Sequence, residues 1–169
     1  MNFLTNLKAR KNSFFKKENI YYFILVIIIF IFDRFSKSKI ISNFNENSYY
    51  VNNFINLDLI WNIGIGFGFL STDSSVSYSL VTTLIGIVII FLLFIFTISE
   101  KTDKLIYSLI IGGALGNFYD RLVYKAVPDF IDIHYNNFHW FTFNVADIFI
   151  TIGVIIFVIY SFFDKNLNK

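Results

Sequence analysis

Long apolar stretches recur along the chain and are separated by shorter polar segments. The clearest stretch is residues 76–98, which has 23 residues and no charge. A helix needs about 20 apolar residues to cross the hydrocarbon core of a bilayer. The pattern therefore predicts an all-α membrane protein with four transmembrane helices, at 20–39, 76–98, 105–121 and 144–163.

The polar segment at 40–75 has a different pattern. Between residues 55 and 62, apolar side chains alternate with Asn56, Asp58 and Asn62. This period of two is typical of a β-strand, so we predict a small extracytoplasmic β-cradle in this segment. Residues 122–143 are rich in aromatic side chains, which favour the headgroup level of a bilayer, and we expect an interfacial segment there.

Charge indicates how the spans are oriented. Residues 1–19 carry five cations against one acid, Glu18. Under the positive-inside rule this tail is cytoplasmic. Four spans then place the turn at 99–104 and the tail at 164–169 inside, and the segments 40–75 and 122–143 outside. Arg34, Lys37 and Lys39 lie on the opposite side and support this orientation only in part.

Composition limits the class of protein. Only 15% of the residues are charged, against about 25% in soluble domains, and 169 residues suit a single membrane domain over 1–169. The chain has no cysteine, which excludes thiol catalysis, disulfides and cysteine-ligated metal. The net charge of +2 gives no sign of a nucleic-acid partner, and we predict none.

Two aspartates near the predicted outer ends of spans are the candidate catalytic residues. Asp129 follows the third span, and Asp147 lies in the first turn of the fourth. Two carboxylates in a partly dry site share a proton, so one can act as general base while the other acts as general acid. A plainer interpretation is also open, since Asn144-x-x-Asp147 is an ordinary helix start with Asn144 as the N-cap.

Other polar residues admit structural interpretations. Gly112 and Gly116 have the small-xxx-small spacing of close helix packing, which is the favoured interpretation. The residues that follow them, Asn117, Asp120 and Arg121, could form a site, or Asp120 and Arg121 could form an interfacial salt bridge.

Four further groups of polar residues could in principle form part of a site. Asp33 and Lys37 are one helical turn apart, which favours an i,i+4 ion pair, while Asn62 and Gly64 suit a hairpin turn. His134 and His139 with Asp132 lack the spacing of a helical zinc motif, so we predict no metal. A serine–lysine dyad would need Lys37 or Lys39 beside a serine such as Ser71, and no motif marks one.

Five short motifs follow one another along the chain. They are Asp33-Arg-Phe-Ser-Lys37, Asn62-Ile-Gly64-Ile-Gly-Phe67, Gly112-Gly-Ala-Leu-Gly116-Asn117-Phe-Tyr-Asp120-Arg121, Pro128-Asp129-Phe130-Ile131-Asp132 and Phe143-Asn144-Val-Ala146-Asp147. Taken together and in this order, they resemble the motifs of lipoprotein signal peptidase (signal peptidase II), a bacterial inner-membrane aspartic peptidase. Two departures are Arg34, where the family often has Gln, and Pro128, where it usually has an apolar residue.

The resemblance implies a function and a set of roles. The substrate would be a diacylglyceryl-modified prolipoprotein, cut on the amino side of the lipidated cysteine without a cofactor, and cyclic peptides of the globomycin type would inhibit. Asp129 and Asp147 would be the catalytic pair. Supporting residues would be Asn62, Gly64, Asn117, Asp120, Arg121, Asn144, Asp33 and Lys37.

Two rival functions remain open on the residues alone. A proton-coupled transporter could use Asp120, Asp129 and Asp147 as a relay. The clustering of these acids at one end and the absence of an internal sequence repeat argue against it. A structural membrane protein with ordinary capping acids is the second rival.

Overall fold

The computed structural model describes residues 17–43, 48–64, 75–136 and 138–167. Residues 1–16 of the basic tail and the glycine-rich stretch 65–74, including Ser71, lie outside the described residues. The helices are α1 (Lys17–Asn43), α2 (Ser75–Ile98), α3 (Lys101–Val123) and α4 (Val145–Leu167), and the strands are β1 (Tyr49–Asn52), β2 (Ile55–Asn62), β3 (Val127–Tyr135) and β4 (Phe138–Phe143).

Three of these helices are long and apolar enough to cross a membrane. The candidate spans are Asn19–Asn43, Val76–Ile98 and Val145–Phe163. The predicted third span lies within α3, whose last turns carry Asp120 and Arg121. A mostly helical protein with three candidate spans and a small sheet is therefore confirmed, while the crossing by α3 stays a prediction.

The distribution of polarity is the reverse of that in a soluble protein. Large apolar side chains on the helices face outward, as Leu84 and Ile90 do on α2. Asp33 and Lys37 are 0% exposed. Charged groups inside a helical bundle with an apolar exterior are the arrangement expected in lipid, where such groups are paired or mark a functional site.

Helix α3 packs closely against α1 and α4 through its glycines. A Cβ atom added to Gly112 would lie 2.8 Å from the Ile29 Cβ atom of α1. A Cβ at Gly113 would meet the Ala146 carbonyl oxygen of α4, and one at Gly116 would meet the Asp33 carboxylate. The packing interpretation of these glycines is thus confirmed, and it brings polar groups of three helices together.

The four strands form one antiparallel sheet in the order β1-β2-β3-β4. The strand predicted near 55–62 is confirmed as β2, but β3 and β4 lie where we predicted only an interfacial segment. The first four residues of β3 are all buried, so the alternation that identifies a half-exposed strand is missing. Pro128 stands near the start of β3, where a missing N–H is tolerated in a strand.

The sheet joins two separate connections of the chain. Strands β1 and β2 lie between α1 and α2, and β3 and β4 lie between α3 and α4. Because β2 pairs with β3, both connections lie at the same end of the helices. Only Asn144 separates β4 from α4, so the sheet sets the position of the first turn of that helix.

Candidate active site

Asp129 lies in β3 and is almost completely buried, with 4% of its surface exposed. Two asparagine amides donate hydrogen bonds to its carboxylate. Asn62 Nδ2 at the end of β2 donates to Oδ2 at 2.9 Å, and Asn144 Nδ2 donates to Oδ1 at 2.6 Å. Strand pairing and the start of α4 therefore hold both oxygens of this carboxylate.

Asp147 lies in the first turn of α4, where Asn144 caps the helix. The Asp147 N–H donates to Asn144 Oδ1 at 3.1 Å, and the Asn144 N–H donates to Asp147 Oδ2 at 3.1 Å. This reciprocal cap is the ordinary helix start considered above, and it is confirmed. The same Asn144 also binds Asp129, so one side chain links both candidate catalytic carboxylates.

Burial is the main influence on the protonation of Asp129. Desolvation by burial and, to a smaller extent, the negative charge of Asp147 together raise its pKa from 3.8 to about 6. Hydrogen bonds from Asn62 and Asn144 and the charge of Lys37 oppose the rise. A carboxyl group with this pKa can hold a proton far closer to neutrality than an exposed aspartate can.

Asn117 connects the candidate catalytic pair to a buried ion network. Its Nδ2 donates to Asp147 Oδ1 at 2.7 Å, and its Oδ1 accepts from Lys37 Nζ at 2.8 Å. Lys37 also bonds to Asp120 Oδ2 at 2.7 Å and lies 2.9 Å from Asp33 Oδ2. The predicted Asp33–Lys37 pair is confirmed, and it is part of a larger group that spans α1, α3 and α4.

The hypothesis of a salt bridge between Asp120 and Arg121 is wrong. Asp120 pairs instead with Lys37 and Arg34. Successive residues of a helix point about 100° apart, so Arg121 faces elsewhere and donates from Nη2 to the Gly64 carbonyl oxygen at 2.8 Å. Arg121 thereby ties α3 to the turn that follows β2.

That turn is built on Asn62. The Gly64 N–H donates to Asn62 Oδ1 at 2.8 Å, which forms an Asx turn at the pair where we predicted a hairpin turn. Asn62 therefore has two roles, since its Oδ1 shapes the turn while its Nδ2 binds Asp129. All ten predicted site residues thus lie in one connected polar group in which the two aspartates are linked.

Sequence reasoning missed two members of this group. Arg34 bonds to Asp120 and lies over the Tyr119 ring at 4.7 Å from its centroid. The Ala146 N–H donates to Asp33 Oδ1 at 2.9 Å, which fixes the start of α4 to α1. The position of Arg34 next to Asp33 in the sequence is a signal that could have identified Arg34 as a member of this group. A backbone N–H such as that of Ala146 leaves no signal in the sequence.

Comparison with known proteins identifies the family of this chain. The family model for signal peptidase (SPase) II matches residues 25–163. The chain belongs to the signal peptidase II family. It is 48% identical over 146 residues to a lipoprotein signal peptidase of Pelagibacter ubique, covering 85% of this chain and 88% of the relative.

A second relative in the signal peptidase II family and a solved structure also match most of this chain. A lipoprotein signal peptidase of Francisella tularensis subsp. novicida is 40% identical over 151 residues, covering 86% of this chain and 93% of the relative. A solved bacterial membrane enzyme superposes with a TM-score of 0.77 at 30% identity, covering 88% of this chain and 92% of the other. Membership of this family favours a peptidase over the transporter and structural rivals.

An apolar cavity of about 220 Å³ opens beside Asp147 in this signal peptidase II family member. Its walls come from the β3–β4 hairpin and from the first turns of α4. Apart from Asp147, its lining offers mainly hydrocarbon and aromatic surface. The lining residues are Ile133, Phe141, Phe143, Ile148, Thr151 and Ile152.

Proposed function

We propose that this protein is an aspartic endopeptidase that removes the signal peptide from diacylglyceryl-modified prolipoproteins, cutting on the amino side of the lipidated cysteine. The observation that carries the proposal is the junction at Asn144, which holds Asp129 by its side chain and Asp147 by its cap. The relatives at 48% and 40% identity bear the name lipoprotein signal peptidase. The proposed catalytic pair uses neither a metal nor a covalent intermediate.

In the proposed mechanism the two carboxyl groups share one proton, which we assign to Asp129 because its pKa is raised to about 6. Asp147 takes a proton from a water molecule as that water attacks the scissile carbonyl carbon. Asp129 donates its proton to the carbonyl oxygen, giving a neutral tetrahedral intermediate. Asp129 then removes a hydroxyl proton while Asp147 protonates the leaving nitrogen, and the C–N bond breaks.

The other polar residues hold this pair in place. Asn62, Gly64 and Arg121 connect the sheet to α3 on the side of Asp129. Asn117 positions Asp147 and is itself held by Lys37. Lys37 is in turn balanced by Asp33 and Asp120. These residues reduce the freedom of the carboxylates before substrate binds, which is how preorganised sites lower a reaction barrier.

The proposed setting is the bacterial cytoplasmic membrane. All four helices cross it, both termini are cytoplasmic, and the sheet and Asp129 lie at the outer face. The basic tail at 1–19 supports this orientation under the positive-inside rule. The apolar cavity beside Asp147 offers a binding surface for the apolar part of the lipidated substrate or for a cyclic peptide inhibitor of the globomycin type.

The test is cleavage by the purified full-length chain in lipid-containing micelles. We expect a diacylglyceryl prolipoprotein to be cut, with the lipidated cysteine as the new amino terminus, and a globomycin-type cyclic peptide to block the reaction. The matched control is the same prolipoprotein without diacylglycerol, which we expect to remain intact. Failure to cut the lipidated form would contradict the proposed function, and equal cleavage of both forms would contradict the proposed substrate class.

The pH dependence follows from the protonation of Asp129. We expect kcat/KM to fall as pH rises above about 6, since burial raises the pKa of Asp129 to about 6 and the general acid must carry its proton. Bound substrate excludes water, which raises the pKa of a carboxyl group further, so kcat should fall at a higher pH than kcat/KM. Both constants would be measured from pH 5 to pH 9. A kcat/KM that stays constant over this range would contradict the assignment of the proton to Asp129.

A further inference from the structure

Both histidines of the chain meet at one place in the sheet. The chain has only two, and His134 on β3 is the register partner of His139 on β4. Their rings are stacked with centroids 5.4 Å apart. The Asp132 carboxylate approaches both rings, with Oδ2 2.7 Å from His139 Nδ1 and 3.8 Å from His134 Nδ1.

This cluster is distinct from the catalytic pair. Successive side chains of a strand point to opposite faces of the sheet. Asp132 and His134 are two residues apart on β3 and therefore share a face. Asp129 is three residues before Asp132 and belongs to the other face, so the proposed mechanism uses none of the three cluster residues.

Two buried polar atoms, one in the cluster and one on the neighbouring strand β2, have no hydrogen-bond partner among the described residues. His134 is 8% exposed, and its Nδ1 is unpaired. Asn56 is the register partner of Asp132 on β2, and its Oδ1 is likewise buried and unpaired. A buried polar atom without a partner is energetically unfavourable, so each of these two atoms requires a physical explanation.

A bound cation accounts for these features together. A carboxylate oxygen, the unprotonated nitrogen of a neutral imidazole and an amide oxygen are all electron-pair donors. Two such atoms attract each other only when a proton or a positive ion lies between them. The donor atoms of Asp132, His134 and His139 all lie within 4.8 Å of one another. Tetrahedral Zn²⁺ with bonds of about 2.0–2.1 Å separates its ligand atoms by roughly 3.3 Å, which small side-chain rotations reach from this arrangement.

We propose that Asp132, His134 and His139 form a binding site for a divalent transition-metal ion of the Zn²⁺ class. Neutral imidazole and carboxylate are ligands that Zn²⁺ accepts, and structural zinc sites are four-coordinate. Asn56 Oδ1 or a water molecule supplies the fourth ligand. The His134 ring binds through Nδ1, with its proton on Nε2.

The site would join β3 to β4 on the strand that carries Asp129. Sequence spacing argued against a metal because the two histidines lack the i,i+4 helical pattern. In a hairpin the relevant relation is cross-strand register, which places His134 opposite His139. An ion that binds only the folded state stabilises it in proportion to the logarithm of its concentration above Kd, so Zn²⁺ should raise the melting temperature of the protein.

The experiment is a titration of the chelator-treated full-length chain with Zn²⁺ alone, by isothermal calorimetry in detergent. The chain must carry no polyhistidine tag. Because it has no cysteine and no other histidine, strong binding can be assigned to this cluster. We expect one Zn²⁺ per chain, a rise in melting temperature, and with Co²⁺ the intense visible absorption of a tetrahedral site.

The decisive variants are His139→Ala and Asp132→Asn. His139 is 58% exposed, so its replacement is compatible with folding, whereas replacement of the buried His134 is less informative. Loss of an outer partner of a metal ligand costs about 10–100-fold in affinity, and we expect loss of a direct ligand to weaken Zn²⁺ binding by at least about tenfold. The matched control is Asp58→Asn, which removes an exposed acid from β2 and should leave the affinity unchanged.

Two results would overturn the proposal. One is the absence of stoichiometric Zn²⁺ binding by the wild-type chain. The other is the same Zn²⁺ affinity in wild type, His139→Ala and Asp132→Asn, which would mean adventitious binding elsewhere. In either case the contact between Asp132 and His139 would be an ordinary hydrogen bond.

Discussion

Replacement of Asp129 or Asp147 by asparagine is expected to lower the rate of prolipoprotein cleavage by about 10²–10⁴-fold, the range of general acid–base catalysis. Asparagine keeps the size of the side chain but can neither accept a proton from water nor donate one to a carbonyl oxygen. Because both carboxyl groups act in the same step, their effects should not add. We therefore expect the double variant to be about as slow as the slower single variant.

The measurement is kcat for the lipidated prolipoprotein, with melting temperature recorded to show that each variant is folded. Asp58→Asn is the matched control, because it removes a carboxylate from the same sheet at an exposed position on β2. Its activity should equal that of wild type. Cleavage at the wild-type rate by either Asp129→Asn or Asp147→Asn would refute the proposed catalytic pair.

Replacement of Lys37 by methionine is expected to have the largest effect on stability. The Lys37 ammonium group is fully buried and is the shared partner of Asp33 and Asp120. Methionine fills a similar volume but leaves these carboxylates with too little positive charge around them. Removing one partner of a buried ion pair costs about 3–5 kcal/mol, and here Asn117 also loses a hydrogen bond that holds it beside Asp147.

This prediction is checked by thermal or denaturant unfolding in detergent, with the yield of folded protein as a second measure. The control is Lys39→Met, which makes the same change at an exposed position two residues later on α1. Its free energy of unfolding should lie within about 0.5 kcal/mol of wild type, as for most surface substitutions. A Lys37→Met variant as stable as Lys39→Met would show that the buried ion network contributes little to the fold.

Several features could be predicted from local sequence because their physical cause is local. The span at 76–98 follows from its length and lack of charge, and α2 covers it. The strand β2 follows from the alternation between Ile55 and Asn62. The cap of α4 follows from Asn144 and Asp147 lying three residues apart, and the structure contains both hydrogen bonds.

Other features depend on which elements pack together, and local patterns do not record this. β3 is buried over its first four residues, so it lacks the alternation by which a half-exposed strand is recognised. Asp120 is next to Arg121 in sequence, yet helical geometry turns the two apart and packing of α1 supplies Lys37 and Arg34 instead. His134 and His139 meet only because the hairpin register pairs them.

The sequence by itself determined three candidate spans, the family and the two candidate catalytic aspartates, because these depend on composition, periodicity and motifs read along the chain. Only the tertiary structure decided how the aspartates are held. Asp129 and Asp147 come from a strand and a helix, and they are linked because Asn144 stands at the junction of the two elements. Buried charges are stable only with partners. For Lys37 these partners are Asp33, one turn away on α1, and Asn117 and Asp120 of α3, which are 80 and 83 residues away in sequence.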